Sequence, residues 1–496
     1  MKKNLIIMRS CLSMMWPKRN SKTIMKLMFL LICSTVFFST AWMKYPAKTF
    51  EATSVSQDTK VWYIEGNFRP TVRIEVTVTN TLDVKRHNAP VIIPRQGFPI
   101  GDLREISVTV VDPSLPGMNR PDSILRIISG HELRNEVGGH AIPFQMDDLD
   151  KDGIWDEIFF ITDIEARQSK TFFIYIGQSD RGYSRHYTHA NLGHYFRHVV
   201  PFWETETIGW KFWFGTSADV YAKREPMLMS NYLYMLNLDG YEVAKIDHNF
   251  GSDIQRVANS MGGCTAVLFE NPDNPAEFSM PRRTPAQEAY APGSSWNGGQ
   301  ITDTRYVYDV VTNGPLRSTM RIKLTNWYTG KGYYEMTQTF TAYAKQSYCI
   351  GMVEFPQFQP FTDKVSMGVG TRVKPEEDNF VNEPGLIITS GPEYLIDPNY
   401  ADNRPGVRAE MVATGIIVPD RYKSEYQYIP TASRNHALRV TPAASNSYEF
   451  MLLGSWSEST LYNTTQSFND YCRQMQLEYN NPLRVSVGHV EVKYND

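Results

Sequence analysis

Val72-Arg73-Ile74-Glu75-Val76-Thr77-Val78-Thr79 alternates apolar with polar residues over its whole length. Successive side chains of a strand point to opposite faces, so a period of two predicts a half-buried β-strand. Ile106 to Val111 repeats the pattern, and Ile158 to Thr162 and Thr171 to Ile176 are short β-branched and aromatic runs split by a polar turn. The four predict a small antiparallel β-sandwich over residues 42–178. Residues 179–200, polar, aromatic and rich in histidine, read as a linker. Beyond them Arg305 to Val311, Arg317 to Trp327, Tyr333 to Tyr343, Ile350 to Phe355, Tyr448 to Leu453 and Arg484 to Lys493 are again strand-like. The clearest helix runs from Ser467 to Tyr479, where Phe468, Cys472, Met475 and Tyr479 recur at helical spacing. Residues 201–496 are therefore expected to form a large two-sheet sandwich, and the fold class is mainly β. The Asn- and Pro-rich segments Glu270 to Gln300 and Pro375 to Pro405 read as long loops that shape a binding site.

The composition supports folded domains. Of 496 residues 42% are hydrophobic and 21% charged, which excludes a disordered or collagen-like chain. The formal charge of −3 hides an asymmetry: residues 1–41 hold seven basic residues and no acidic one, and without them the charge is −10. So acidic a chain gains no counterion-release attraction to nucleic acid or to anionic lipid. The basic leader continues into the apolar run Leu27 to Phe38 and ends at Ser39-Thr40-Ala41, the parts of a secretory signal peptide over residues 1–41. The run is shorter than the roughly 20 apolar residues of a spanning helix, so no stable membrane insertion is expected after signal removal. Export to a bacterial periplasm or the exterior follows. Cys264, Cys349 and Cys472 form no CxxC motif and read as buried apolar residues, with one disulfide open as the alternative.

Asp148, Asp150, Asp152 and Asp156 alternate around Gly153, the pattern by which a tight turn gathers carboxylate oxygens around Ca²⁺. Phe159 stands where a bidentate Glu would complete an EF-hand, so the stretch resembles the shorter calcium turns between strands, with Ile154 offering its carbonyl. The alternative is a solvated hairpin turn favoured by Asp and Gly. Four carboxylates so close repel without a cation, which favours a structural Ca²⁺. His186, His189, His194 and His198 fit neither HExxH nor zinc-finger spacing. No P-loop, dinucleotide fingerprint or GxSxG elbow is present.

Three further stretches resemble the bacterial family called domain of unknown function 4861, found among exported proteins of polysaccharide-degrading Bacteroidetes. They are Trp203-Glu204-Thr205-Glu206-Thr207-Ile208-Gly209-Trp210-Lys211, Asp219 to Lys223, and His248 to Gly263 with Gly251, Asp253, Val257 and Gly262. Gly314-Pro315-Leu316-Arg317 is a weaker fourth. Lys211, Ala222 and Ala258 depart from the family's arginine and two glycines. The resemblance implies a galactose-mutarotase-like β-supersandwich, a fold shared by sugar epimerases, polysaccharide lyases and some glycosidase domains.

On that resemblance, His248, Asp253, Glu204 and Arg256 are the catalytic candidates, and Trp203, Trp210, Lys223 and Arg317 the substrate-binding ones. The residue types fit. A histidine exchanges protons near neutral pH and a carboxylate orients it; Arg256 suits a uronate carboxylate, and Trp203 or Trp210 a pyranose face. A lyase would use His248 as base, Asp253 to orient it, Arg256 to neutralise the uronate, and Tyr232 or Tyr241 to protonate the leaving oxygen. A hydrolase would use Glu204 with Asp253. The expected function is that of an exported enzyme, a lyase or hydrolase, with uronate-containing polysaccharide or oligosaccharide as its partner; a non-catalytic carbohydrate-binding protein and a sugar epimerase are the alternatives.

Overall fold

The computed structural model describes residues 60–493 apart from 66–67, 118–135, 178–183, 196–197, 214–216, 231–245, 248–250, 256, 258–259, 272, 282–303, 397–406 and 432. The expected leader, His248, Arg256, Tyr232 and Tyr241 lie outside the described residues. Val72–Thr79 is a strand, and Ile74, Val76 and Val78 are fully buried, as the alternation requires. It pairs with Ser169–Ile176 on one side. On the other it pairs with Arg484–Val492, the last strand of the chain. The sheet continues through Val108–Asp112 to His140–Ala141. A second sheet of Arg86–Pro94, Glu157–Ile164 and Phe144–Asp147 faces it across Val91, Ile93, Ile158 and Phe160. The N-terminal sandwich is thus closed by the C-terminal end of the chain. That corrects the expected boundary: Arg484–Val492 belongs to the small sandwich and not to the expected 201–496 domain.

An eight-stranded antiparallel sheet divides the molecule. Its order is Arg305–Asn313, Arg317–Tyr328, Gly332–Tyr343, Tyr348–Pro360, Ser447–Trp456, Val407–Ile417, Leu386–Ile396, Asn379–Glu383. Both faces are covered. Phe450, Leu452, Val412 and Ile416 join a core with Trp203, Trp210 and Phe340. The alternate residues Met451, Leu453, Met411 and Ile417 join the core of the small sandwich and the helix. Burial on both sides explains the nearly unbroken apolar run Phe450 to Leu453.

The helix spans Thr465–Asn480, with Thr464 as N-cap accepting from the Ser467 N–H at 3.2 Å. It buries Phe468, Tyr471, Cys472 and Met475. Cys264, Cys349 and Cys472 are free thiols, all buried. Among the described residues, no helix is long and apolar enough to cross a membrane.

Two expectations need correcting. Within the supposed linker, Thr188–Tyr195 is a strand paired along its length with His198–Thr205. Within the supposed loop Pro375 to Pro405, Asn379–Glu383 and Leu386–Ile396 are the end strands of the eight-stranded sheet. Polar residues in both are themselves buried, Thr188, Thr389 and Ser390 at 0–1% exposure, so polarity did not mark a loop.

A charged face on the six-stranded sheet

A six-stranded sheet covers the first face of the eight-stranded one. Its order is Thr188–Tyr195, His198–Thr205, Ile208–Trp213, Ser217–Lys223, Gly251–Asp253, Ile246–Asp247. In register, Trp203 faces Trp210, which faces Val220, while Lys211 faces Asp219. Glu204 faces Gly209, Tyr221 and Asp253 in one row. Parity sorts these residues. Trp203, Trp210, Phe212, Val220 and Ala222 enter the core; the intervening Glu204, Lys211, Asp219, Tyr221, Lys223 and Asp253 share the opposite face.

Trp203 and Trp210 are therefore not stacking surfaces for a sugar. They are 0% and 2% exposed, and Trp203 stacks on Phe340 at 4.4 Å. Arg317 is also misplaced by the sequence reading. It is buried where the small sandwich meets the eight-stranded sheet, bonded to Asp147 and, at 2.6 Å, to Glu157. Arg317→Lys should cost about 1.5–3 kcal/mol, because a lysine keeps the charge and loses the two-pronged bonding. Urea unfolding would measure it; an unchanged midpoint would refute the structural role.

The charged face holds two clusters. In the first, Glu204 accepts from Lys223 Nζ, from the Met229 N–H at 3.1 Å, and from the Ser230 N–H at 2.9 Å and hydroxyl. His189 Nδ1 lies 2.9 Å from Ser230 Oγ and 3.7 Å from Glu204. Lys223 gives its remaining protons to the carbonyls of Thr205 and Met227. Burial would raise the Glu204 pKa, yet Lys223 with bonds from His189, Lys223 and Ser230 holds it down to about 2. Burial lowers that of Lys223 against the pull of Glu204. With three acceptors around the ammonium, we take the pair as charged. Every proton of Lys223 is committed, so it anchors Glu204 rather than a ligand.

In the second cluster Lys211 Nζ lies 2.6 Å from Asp253 and 3.1 Å from Asp219. Burial pushes the Asp219 carboxyl well up, and Asp253 adds to this through its charge and their shared hydrogen bond, against the pull of Lys211. Two largely buried carboxyls on one ammonium thus favour holding a proton on the Asp219 side. Asp253 is the more exposed of the pair, at 11% of its side chain against 5%. Glycines make the room. A Cβ on Gly251 would lie 2.0 Å from the Ala222 carbonyl oxygen, so only glycine lets this short strand pair beside Lys223. Gly209 leaves a gap between Glu204 and Tyr221, and a small cavity opens there, bordered by Lys211 and Ser230.

Of the catalytic candidates, Asp253 and Glu204 share this face in separate clusters, while His248 and Arg256 lie outside the described residues. Sequence reasoning gave no role to Lys211, Asp219, Tyr221 or His189. Strand parity was the available signal, since Lys211 and Asp219 interrupt apolar runs at facing positions.

The acidic turn lies apart from this face. Oxygens of Asp148, Asp150 and Asp156 come within 4.8 Å of one another. Asp152 stands outside that group and accepts from the Ile154 N–H at 2.8 Å. Gly153 has φ +88°, which the turn demands. Arg321 ties the turn to the eight-stranded sheet through the Leu149 carbonyl at 2.7 Å. Three hard oxygen donors on a tight turn fit Ca²⁺ in type.

The sequence profile of the family described as domain of unknown function (DUF4861) matches residues 133–485. That is more than half of the chain, and the chain belongs to this family. No curated protein matches it in sequence. Among solved structures, a protein in glycosyl hydrolase family 38 from Enterococcus faecalis is similar at 10% identity and a TM-score of 0.42, covering 84% of this chain and 47% of that one. An alpha-mannosidase from Enterococcus faecalis V583 is similar at 10% identity and a TM-score of 0.41, covering 84% and 46%. The chain spans about half the length of each.

Proposed function

We propose that this family member is an exported enzyme acting on uronate-containing polysaccharide or oligosaccharide, and that it cleaves by elimination at the Asp253 end of the charged face. The observation that carries this reading is the carboxyl pair on one ammonium, with Asp253 2.6 Å and Asp219 3.1 Å from Lys211 Nζ. Two close carboxyl groups beside one cation hold a proton between them, which suits a reaction that takes one proton and returns another. Elimination needs a base for the proton α to the uronate carboxylate, a cation to neutralise that carboxylate, and a proton for the departing oxygen. His248 would be the base and Arg256 the cation; both adjoin the Gly251–Asp253 strand in sequence. Asp253 would orient His248, and Asp219 would return a proton through Asp253.

Hydrolysis fits less well. Its two carboxyl groups stand roughly 5–9.5 Å apart across the sugar. Asp219 and Asp253 are hydrogen-bonded, which is too close. Glu204 and Asp253 are three strands apart in one row, about 14 Å along the sheet, and Glu204 is tied to Lys223. A non-catalytic carbohydrate-binding role has one observation in its favour: Tyr328, Tyr333 and Phe361 cluster at a hairpin tip, each about half exposed.

Incubation with pectic, glucuronate-rich and neutral oligosaccharides separates these readings. Elimination leaves an unsaturated uronate that absorbs ultraviolet light, whereas hydrolysis adds the mass of water. No product from any glycan, alongside measurable sugar binding, would replace the enzyme reading by the binding one. For export, the mature chain recovered from the periplasm or medium should begin at Trp42.

We also propose a structural Ca²⁺ held by Asp148, Asp150, Asp156 and the Ile154 carbonyl. An ion bound by the native state at a hundred times its Kd adds about 2.7 kcal/mol, so Tm should rise by several degrees in Ca²⁺. Equal Tm in excess Ca²⁺ and in chelator would exclude the site.

A further inference from the structure

Away from the charged face, a chain of three side chains lies where the outermost strand of the five-stranded sheet meets the last strand of the eight-stranded one. That five-stranded sheet runs Phe278–Ser279, Thr265–Phe269, Ser366–Arg372, Asn435–Val440, Glu425–Ile429. His436, 4% exposed, places Nε2 3.0 Å from Glu377 Oε1 and Nδ1 2.8 Å from the Tyr426 hydroxyl. A carboxylate only accepts, so Nε2 carries a proton, and in the tautomer this selects Nδ1 is the acceptor that faces the Tyr426 hydroxyl. Burial would raise the Glu377 pKa, but bonds from His436 and Thr389 hold it below the usual range. The order hydroxyl, imidazole, carboxylate is the one by which a base activates a weak hydroxyl.

Burial pushes the Tyr426 pKa up to about 12, so the phenol keeps its proton at rest. Its activation has to come from transfer to His436 within the reacting step. Two rings border the chain. Phe380 stacks on His436 at 4.0 Å and 14°, and Tyr428 lies 5.9 Å from the imidazole. Each is 38% exposed. A histidine that merely fills the interior needs neither ring at the surface, whereas a pyranose ring stacks on such faces.

We propose that Tyr426, His436 and Glu377 form a second proton-transfer site, in which Tyr426 Oη takes a proton from a hydroxyl of a sugar ring stacked on Phe380 or Tyr428. The ligand O–H bond breaks and its oxygen keeps the electron pair. The proton joins Tyr426 Oη as the tyrosine's own proton passes to His436 Nδ1, and Glu377 pairs with the imidazolium. The sugar class rests on the function proposed above; the proton relay does not.

An aryl sulfonyl fluoride tests the relay without any glycan. Tyr426 Oη attacks sulfur, the S–F bond breaks, fluoride leaves, and the phenolic proton goes to His436. Peptide mass spectrometry should find Tyr426 labelled at least tenfold faster than Tyr428 or Tyr333, which are exposed and lack the relay. His436→Gln should reduce the rate to that of Tyr428, and Glu377→Gln should reduce it severalfold, with folding followed by circular dichroism. Labelling of Tyr426 no faster than Tyr428, or an unchanged rate in folded His436→Gln, would overturn the relay. A galacturonate trisaccharide or a xylan oligosaccharide at saturation should slow the labelling; equal rates with and without both would overturn the sugar-ring assignment.

Discussion

Lys223→Met is expected to lower stability by about 3–5 kcal/mol, since it leaves a buried carboxylate without its cation. Glu204 would retain its N–H and hydroxyl donors from Met229 and Ser230 but lose the ammonium, at 2% exposure. The sign with pH follows from the depressed Glu204 pKa, about 2 against an ordinary 4.5. Its contribution is present above pH 4.5 and fades as the pH falls towards 2. The difference between wild type and variant should therefore be full at pH 7 and shrink in acid. Glu204→Gln combined with Lys223→Met should recover part of the loss, because a neutral amide needs no counter-charge. Urea unfolding at both pH values is the measurement; a loss under about 1 kcal/mol at pH 7 would show that the pair is not holding the sheet.

The same residues show what a sequence discloses. Strands that alternate, such as Val72–Thr79, were legible because water on one face and core on the other write the period directly. The helix was legible from its buried stripe of Phe468, Cys472 and Met475. Glu204 and Asp253 could be singled out as site material by resemblance, and both do lie on the charged face. What went unused was the parity of short strands whose residues are nearly all buried, polar ones included. In Ile208–Trp213, aromatic residues and a lysine alternate, and the tryptophan resembled a ligand contact although it enters the core while the lysine faces away from it. Long-range partners were hidden. Arg317 meets Asp147 across 170 positions, and Arg484–Val492 returns to Val72–Thr79. Nothing local in either sequence encodes its partner.

If the proposed cleavage is right, Asp253→Asn is expected to reduce kcat by about 10²–10⁴-fold on any glycan that is cleaved, the usual range for removing a positioned acid or base. The fold should survive, since an amide fills the same space and, with the Asp253 charge gone, Asp219 can ionise and keep the Lys211 ammonium partnered. Asp219→Asn makes the informative contrast. The native Asp219 pKa is raised well above 3.8, so the folded chain keeps a proton that the unfolded chain releases. Stability must then fall as the pH rises from 3.8 through the folded pKa. An asparagine mimics the protonated acid and can donate to Asp253 without that loss, so Asp219→Asn should be neutral or stabilising at pH 7 and should flatten the fall in stability above pH 3.8. It nevertheless carries no transferable proton. If Asp219 returns a proton through Asp253, this stable variant should be as deficient in turnover as Asp253→Asn, with KM little changed. If the pair only supports the sheet, Asp219→Asn should turn over at the wild-type rate. Full activity in both variants would remove the charged face from the reaction.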